Sequence, residues 1–170
     1  MAGKLVQVAT TSVSNVSNFS ITGITTDDVY LITLNDLYMT SDGARPRLRF
    51  TKSSDSSADT TSNYDYANKD MYANQSFTNN ANQNQTYYNG FSTGTDNTEG
   101  LRAIYYCYNF NSSSEYSFIT YEEFATNNAS ENAGRMGGMV LTVQQSTNGF
   151  NWHSSTGNIS NATATLYRVV

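Results

Sequence analysis

The sequence predicts an all-β protein, an antiparallel sandwich or barrel of short strands, and three observations predict it. Runs of the good helix formers are missing, and Thr, Ser, Asn, Tyr, Val and Ile fill the chain instead. Apolar residues recur with a period of two rather than 3.6. Clusters of Gly, Asn, Ser and Asp punctuate these stretches at short intervals, as the turns of an antiparallel sheet require. At 170 residues the chain has the size of one domain, large enough to bury about 70 % of its unfolded surface.

Taken in order, Leu5–Ala9 and Val13–Ile21 read as the first strands. Along 28–40, Val29, Leu31 and Thr33 alternate with Tyr30, Ile32 and Leu34, and both sets are largely apolar or aromatic, which predicts a central strand covered on two faces. After a turn at Ser41-Asp42-Gly43, the side chains of Arg45, Arg47 and Arg49 point one way and those of Pro46, Leu48 and Phe50 the other. This strand is expected to form a hairpin with the one before it, and Pro46 fits a first-residue or edge position because it offers no ladder donor. Leu101–Phe110, Tyr116–Tyr121, Gly138–Gln145 and Ala162–Val169 complete the set. In the first of these, Ile104, Tyr106, Tyr108 and Phe110 share one face, with Tyr105, Cys107 and Asn109 on the other. Val29, Leu31, Leu48, Phe50, Tyr106 and Tyr108 are the expected core.

The span 53–98 carries the densest Ser, Asn, Gln and Thr content and little regular alternation. Tyr64, Tyr66, Tyr72, Phe77, Tyr87, Tyr88 and Phe91 nevertheless supply more apolar area than a flexible linker needs, so long, mostly ordered polar excursions from the surface are expected. With no internal repeat or second boundary, residues 12–170 read as one domain preceded by an arm over 1–11.

Only 14 % of the residues are charged, against 13 % aromatic and about 20 Asn; amides and hydroxyls carry the polarity, and the aromatic content opposes disorder. A net charge of −5 with nine Lys and Arg argues against nucleic acid as a partner. No apolar run is long enough to span a bilayer and the first residues lack an apolar leader, so neither membrane insertion nor a signal peptide is expected. Cys107 is the single cysteine and can form no internal disulfide; a buried, inert thiol is expected.

No pattern marks an enzyme. His153 is the only histidine, and no serine sits in a Gly-x-Ser-x-Gly elbow. One His and one Cys do not fill a zinc site, and Asp55, Asp59, Asp65 and Asp70 lack calcium-loop spacing. Glu115, Glu122, Glu123 and Glu131 show no spacing that marks a glycosidase pair, and Glu122 and Glu123 would face opposite ways on a strand. No metal and no cofactor is expected. Two resources remain. Arg45, Arg47 and Arg49 form the most concentrated positive feature, either paired across strands and solvated or turned toward an acidic partner surface or acidic glycan. Tyr64, Tyr66, Tyr72, Tyr87 and Tyr88 suit a core, a subunit interface or sugar contacts.

Several segments resemble a known family. The opening Met1-Ala2-Gly3-Lys4-Leu5-Val6, Phe19-Ser20-Ile21-Thr22-Gly23-Ile24 leading into Asp28-Val29-Tyr30-Leu31-Ile32-Thr33-Leu34, Arg47-Leu48-Arg49-Phe50-Thr51, Asn63-Tyr64-Asp65-Tyr66-Ala67, and the ending from Thr156-Gly157-Asn158-Ile159 to Leu166-Tyr167-Arg168-Val169-Val170 are similar to small virion surface proteins of tailed bacteriophages, above all those of marine cyanobacteria. The resemblance runs almost end to end, with Thr156 where the family often has Ser. It implies a jelly-roll-like β-sandwich, assembly as a homotrimer, and a place on the virion surface after synthesis in the host cytoplasm. It carries no binding residues across. The expected function is that of a non-enzymatic structural protein, a capsid decoration or a fibre or tail appendage, that meets copies of itself through Tyr- and Asn-rich loops and docks to other virion capsid or tail proteins through the arm 1–11. The alternative is a receptor-binding tip module that recognises a host surface glycan.

Overall fold

The computed structural model describes residues 3–73 and 77–170. Met1 and Ala2 of the expected arm, and residues 74–76 of the expected excursion, lie outside the described residues. The rest forms strands β1 (Leu5–Val16), β2 (Asn18–Thr22), β3 (Tyr30–Met39), β4 (Pro46–Lys52), β5 (Tyr64–Tyr72), β6 (Thr78–Gln85), β7 (Tyr88–Asn89), β8 (Leu101–Tyr108), β9 (Tyr116–Thr126), β10 (Asn132–Gln144), β11 (Thr147–Ser154) and β12 (Ile159–Val169). They build two antiparallel sheets, one of eight strands in the order β1-β12-β3-β8-β9-β10-β5-β6 and one of four in the order β2-β11-β4-β7. Among the described residues there is no helix.

The pairing is nested. β1 pairs with β12, β2 with β11, β3 with β8 and β4 with β7, as if one long hairpin of four strand pairs had been rolled up so that successive pairs fall in alternate sheets. That is the jelly-roll arrangement of a β-sandwich. β5 with β6, inserted between β4 and β7, and β9 with β10, inserted between β8 and β11, extend the larger sheet beyond β8.

The interior is mostly aromatic. Phe50 and Phe150 stack at 5.5 Å, Phe50 meets Phe110 at 4.6 Å, Tyr105 meets Phe150 edge-on at 5.3 Å, and Phe19 stacks on Trp152 at 5.1 Å. Rings of this size, offset or edge-on, contribute both buried area and quadrupolar attraction. Tyr64 is buried because its hydroxyl has partners, donating to the Asp59 carbonyl at 3.1 Å and accepting from the Phe50 amide at 3.0 Å. Cys107 lies at 0 % exposure and burial pushes its thiol pKa well up, which leaves it without thiolate character.

A buried polar cluster ties the inserted strands to the smaller sheet. The Arg135 guanidinium on β10 grips the Asp70 carboxylate on β5 with two bonds of 2.6 and 2.8 Å, and donates to the Asn89 carbonyl at 2.7 Å and the Tyr88 hydroxyl at 3.2 Å on β7. Asn68 and Asn80 donate to the same carboxylate at 2.6 and 3.1 Å. Glu123, on β9, accepts from the Tyr105 hydroxyl at 3.1 Å, while Arg135 stands 3.9 Å away and is already engaged. Burial raises the Glu123 pKa, with the nearby Arg135 charge opposing.

Several expectations are corrected. The strands at 30–39 and 46–52 form no hairpin: they lie in different sheets, and the turn at Ser41-Asp42-Gly43 crosses the sandwich. The span 53–98 is not a set of surface excursions, since β5 and β6 belong to the large sheet and β7 to the small one. The amide-rich β6, Thr-Asn-Asn-Ala-Asn-Gln-Asn-Gln, has no apolar face to reveal it and is held as an edge strand by its ladder with β5. Within the expected core, Leu48 and Phe50 are buried in it, but Val29 and Tyr106 are exposed, Tyr108 is half-buried, and Leu31 is covered on the outer face, opposite Tyr106 and Tyr167 in the ladder. Apart from Arg102 at one end, both faces of β8 are apolar or aromatic, so alternation alone leaves its inward side open. Large rings arriving from the other sheet and its turns fill the interior, and the side of β8 carrying the smaller Ala103 and Cys107 turns inward. The arm expected over 1–11 is the first part of β1, which runs without a break to Val16 along β12, with a bulge between Gln7 and Ala9.

Candidate functional site

The outer faces of the two sheets differ in chemistry, and each gathers residues singled out in the sequence. On the small sheet the ladder sets Asn18, His153, Arg47 and Asn89 in one row across β2, β11, β4 and β7, and Ser20, Asn151 and Arg49 in the next. Strand alternation puts these side chains outside because Phe19, Ile21, Leu48, Phe50, Phe150 and Trp152 take the inside. Arg47 stacks its guanidinium 4.2 Å from the ring centroid of Tyr87 and donates through Nε to Asn89 Oδ1 at 3.4 Å. Arg49 donates through Nε to the Thr86 carbonyl at 2.9 Å, and Arg45 through Nη1 to the Gly90 carbonyl at 3.2 Å. Among the described residues no carboxylate lies within 4.0 Å of any of the three.

His153 completes this face. Its ring meets Tyr87 edge-on at 5.8 Å, and Nδ1 is buried without a hydrogen-bond partner among the described residues. Burial first, then the Arg49 and Arg47 charges, lower its pKa to about 4, so it is neutral at pH 7. Beside it, Asn18, Ser20, Arg49, Ser56, Asn151 and His153 line a shallow cleft of about 400 Å³. Asn151 is fixed there by its amide, which donates to Ser20 Oγ at 3.0 Å and to the Phe19 carbonyl at 3.2 Å.

Of the tyrosines expected to meet a partner or glycan, Tyr87 is the one whose ring lies against the arginine guanidinium groups among the described residues. Tyr64 and Tyr88 are buried and can touch no partner, a correction that follows from the direction of both side chains, which enter the interior between the two sheets. Tyr66 and Tyr72 are half-buried and pack edge-on against Tyr88 and Phe91.

The outer face of the large sheet is apolar. Phe124 at 52 % exposure, Met136 at 48 %, Tyr106 at 42 % and Ile104 at 41 % stand on β8, β9 and β10, with Tyr116 and Phe118 further along β9. Gly134, on this face of β10, leaves the floor low, and Arg102, Ile104, Glu122, Phe124 and Met136 rim a groove of about 500 Å³. Charges of both signs border it: Arg102 binds Asp36 at 2.6 Å, and Glu122 is exposed. This face was the harder one to read from sequence, because its residues look like core. Glu122 and Glu123 do face opposite ways, one to solvent and one into the buried cluster. No three His, Cys, Asp or Glu side chains converge on a metal position among the described residues.

Fold and surfaces thus define a jelly-roll β-sandwich with one apolar and one cationic outer face. Comparison with protein-family models, curated proteins and solved structures finds no match to this chain.

Proposed function

We propose that this protein is a non-enzymatic structural protein that acts by self-assembly, associating as a homotrimer through the outer face of its large sheet and standing on the surface of a phage virion as a capsid decoration or a fibre or tail appendage. One observation carries the assembly reading: large apolar side chains, Ile104, Tyr106, Phe118, Phe124 and Met136, lie exposed on three adjacent strands, with Thr120 and Glu122 set among them, in a chain whose surface is otherwise rich in amides and hydroxyls. An apolar patch of that kind on a rigid sheet marks a protein contact. Copies of the same chain are the partner that fits, because Glu122, set between Ile104 and Met136, and Arg102, set beside Phe124, carry opposite charges on this face, and Arg102 can exchange its solvent-exposed pair with Asp36 for Glu122 of another copy. The sequence resemblance to phage virion surface proteins supports the placement on a particle. The edge strand β1, with Leu5, Val6 and Val8 exposed and only β12 beside it, is the segment suited to docking on other virion proteins by strand addition.

Incorporation into particles tests the placement. A particle preparation that contains the protein, and loses it when residues 1–11 are deleted while the deleted protein stays folded, supports the reading. Particles that assemble without the protein, or full incorporation of the shortened chain, would contradict the placement or the docking strand respectively.

A further inference from the structure

We propose that the outer face of the small sheet is a binding site for an acidic saccharide chain, with Arg45, Arg47 and Arg49 reading its anionic groups and the cleft beside Arg49 taking one sugar ring. Self-association through the other sheet needs none of these residues, so the site goes beyond the assembly reading and stands or falls separately.

Three features identify the ligand. First, the cations are unpaired and prepared. Each arginine holds a carbonyl or amide oxygen with one N–H, which fixes the side chain, and none meets a carboxylate among the described residues. Guanidinium groups left with free forked donors bind carboxylate or sulfate well. Second, the cations form a row. Arg47 and Arg49 are alternate residues of β4, about 6.5–7 Å apart, and Arg45 directly precedes the strand, so the three arginines meet a repeating anion better than a lone ion. Third, the cleft next to the row is lined by hydroxyls and amides, from Asn18, Ser20, Ser56 and Asn151. Such groups both donate and accept, as a ligand rich in hydroxyls demands and an acidic peptide does not. Single-stranded nucleic acid would need open aromatic platforms, whereas the ring of Tyr87 already carries the Arg47 guanidinium.

Calorimetric titration of the whole protein with an oligogalacturonate hexamer and with a sulfated dextran tests this, set against the methyl-esterified hexamer, hexaglutamate and an oligothymidylate. Binding of at least one acidic saccharide is expected, weakened by added salt, with none to the neutral ester and weaker binding to hexaglutamate and oligothymidylate. Replacing Arg47 and Arg49 together by Gln should weaken it by about tenfold or more. Equal or tighter binding of hexaglutamate or of oligothymidylate, binding of neither saccharide, or unchanged affinity in a folded double variant would each overturn the site. Should the double variant fail to fold, the wild-type protein still decides: an anion on Arg47 and Arg49 must shift the His153 ring resonances and raise its pKa above about 4, and a His153 signal unmoved by a bound saccharide would overturn the proposal.

Discussion

The large sheet turns Ile104, Tyr106, Phe118, Phe124 and Met136 outward, while the small sheet turns outward Arg45, Arg47, Arg49, Asn151 and His153. The same alternation produces both, and what differs is the complement each strand leaves after filling the interior. β4 and β11 place every large ring inside and have only polar groups left. β8 and β9 have more large apolar side chains than the interior accommodates, and the excess stays on the surface. Exposed apolar area of this kind finds no packing partner in the monomer, and the arginines, though each tethers a carbonyl or amide of the fold, carry charge that no carboxylate among the described residues answers. Each face therefore points to a contact outside the chain, and the two contacts differ in kind.

The sharpest way to break the comparison is to charge the apolar face. Replacing Ile104 and Phe124 together by Glu should abolish self-association while leaving the fold and any saccharide binding intact, because both side chains already stand in solvent. Sedimentation velocity with parallel circular dichroism checks this. A folded double variant that still associates would remove the large sheet from the interface.

Next in size is the cluster that joins the sheets. Asp70→Ala leaves the Arg135 guanidinium buried without its carboxylate, and a lost partner in such a pair costs about 3–5 kcal/mol. Denaturant titration should show that loss. Both faces should suffer, since Arg135 reaches β7 as well as β5. Trp152→Ala, on the inner side of β11, should cost a similar amount by cavity formation, about 3–5 kcal/mol.

Smaller effects appear in the pH dependence and have opposite signs. Glu123 has a raised pKa in the folded protein, so the stability it contributes is present at low pH and is lost as pH rises from near 4.5 through the folded value. Glu123→Gln should remove that decline. His153 has a lowered pKa, so its contribution is complete above about 6.5 and is lost as pH falls toward about 4. His153→Gln should flatten stability in that window alone, and replacing Arg47 by Gln should raise the His153 pKa measured by NMR. A stability profile unchanged by either substitution would contradict the electrostatics of the respective site.

The fold class was legible because strand alternation survives in Val29–Leu34, Arg45–Phe50 and Leu101–Tyr108 whatever the partners are. The inward side was legible only where the two sides differ in polarity. In β4 the arginines settle it; in β8 Arg102 alone marks the outer side, at one end of the strand, and the aromatic alternation puts Tyr106 inward whereas Tyr105 is the buried residue. β11 also alternates, with Phe150 and Trp152 inward against Gly149, Asn151 and His153, but its Gly and Asn residues hid it among the turns. β6 offers amides on both sides and shows itself only through pairing with β5. The arginine row was visible from its spacing. Its meeting with Tyr87 and His153 depends on pairings between segments distant in sequence, which spacing does not reveal.

Sedimentation equilibrium of the wild-type chain across a wide concentration range tests the central claim most directly. An assembly protein of this design sediments with three times the 18.7 kDa chain mass at high concentration, and substitution of Ile104 and Phe124 by Glu returns it to the single-chain mass. A wild-type protein that stays at the mass of one chain throughout would contradict the account.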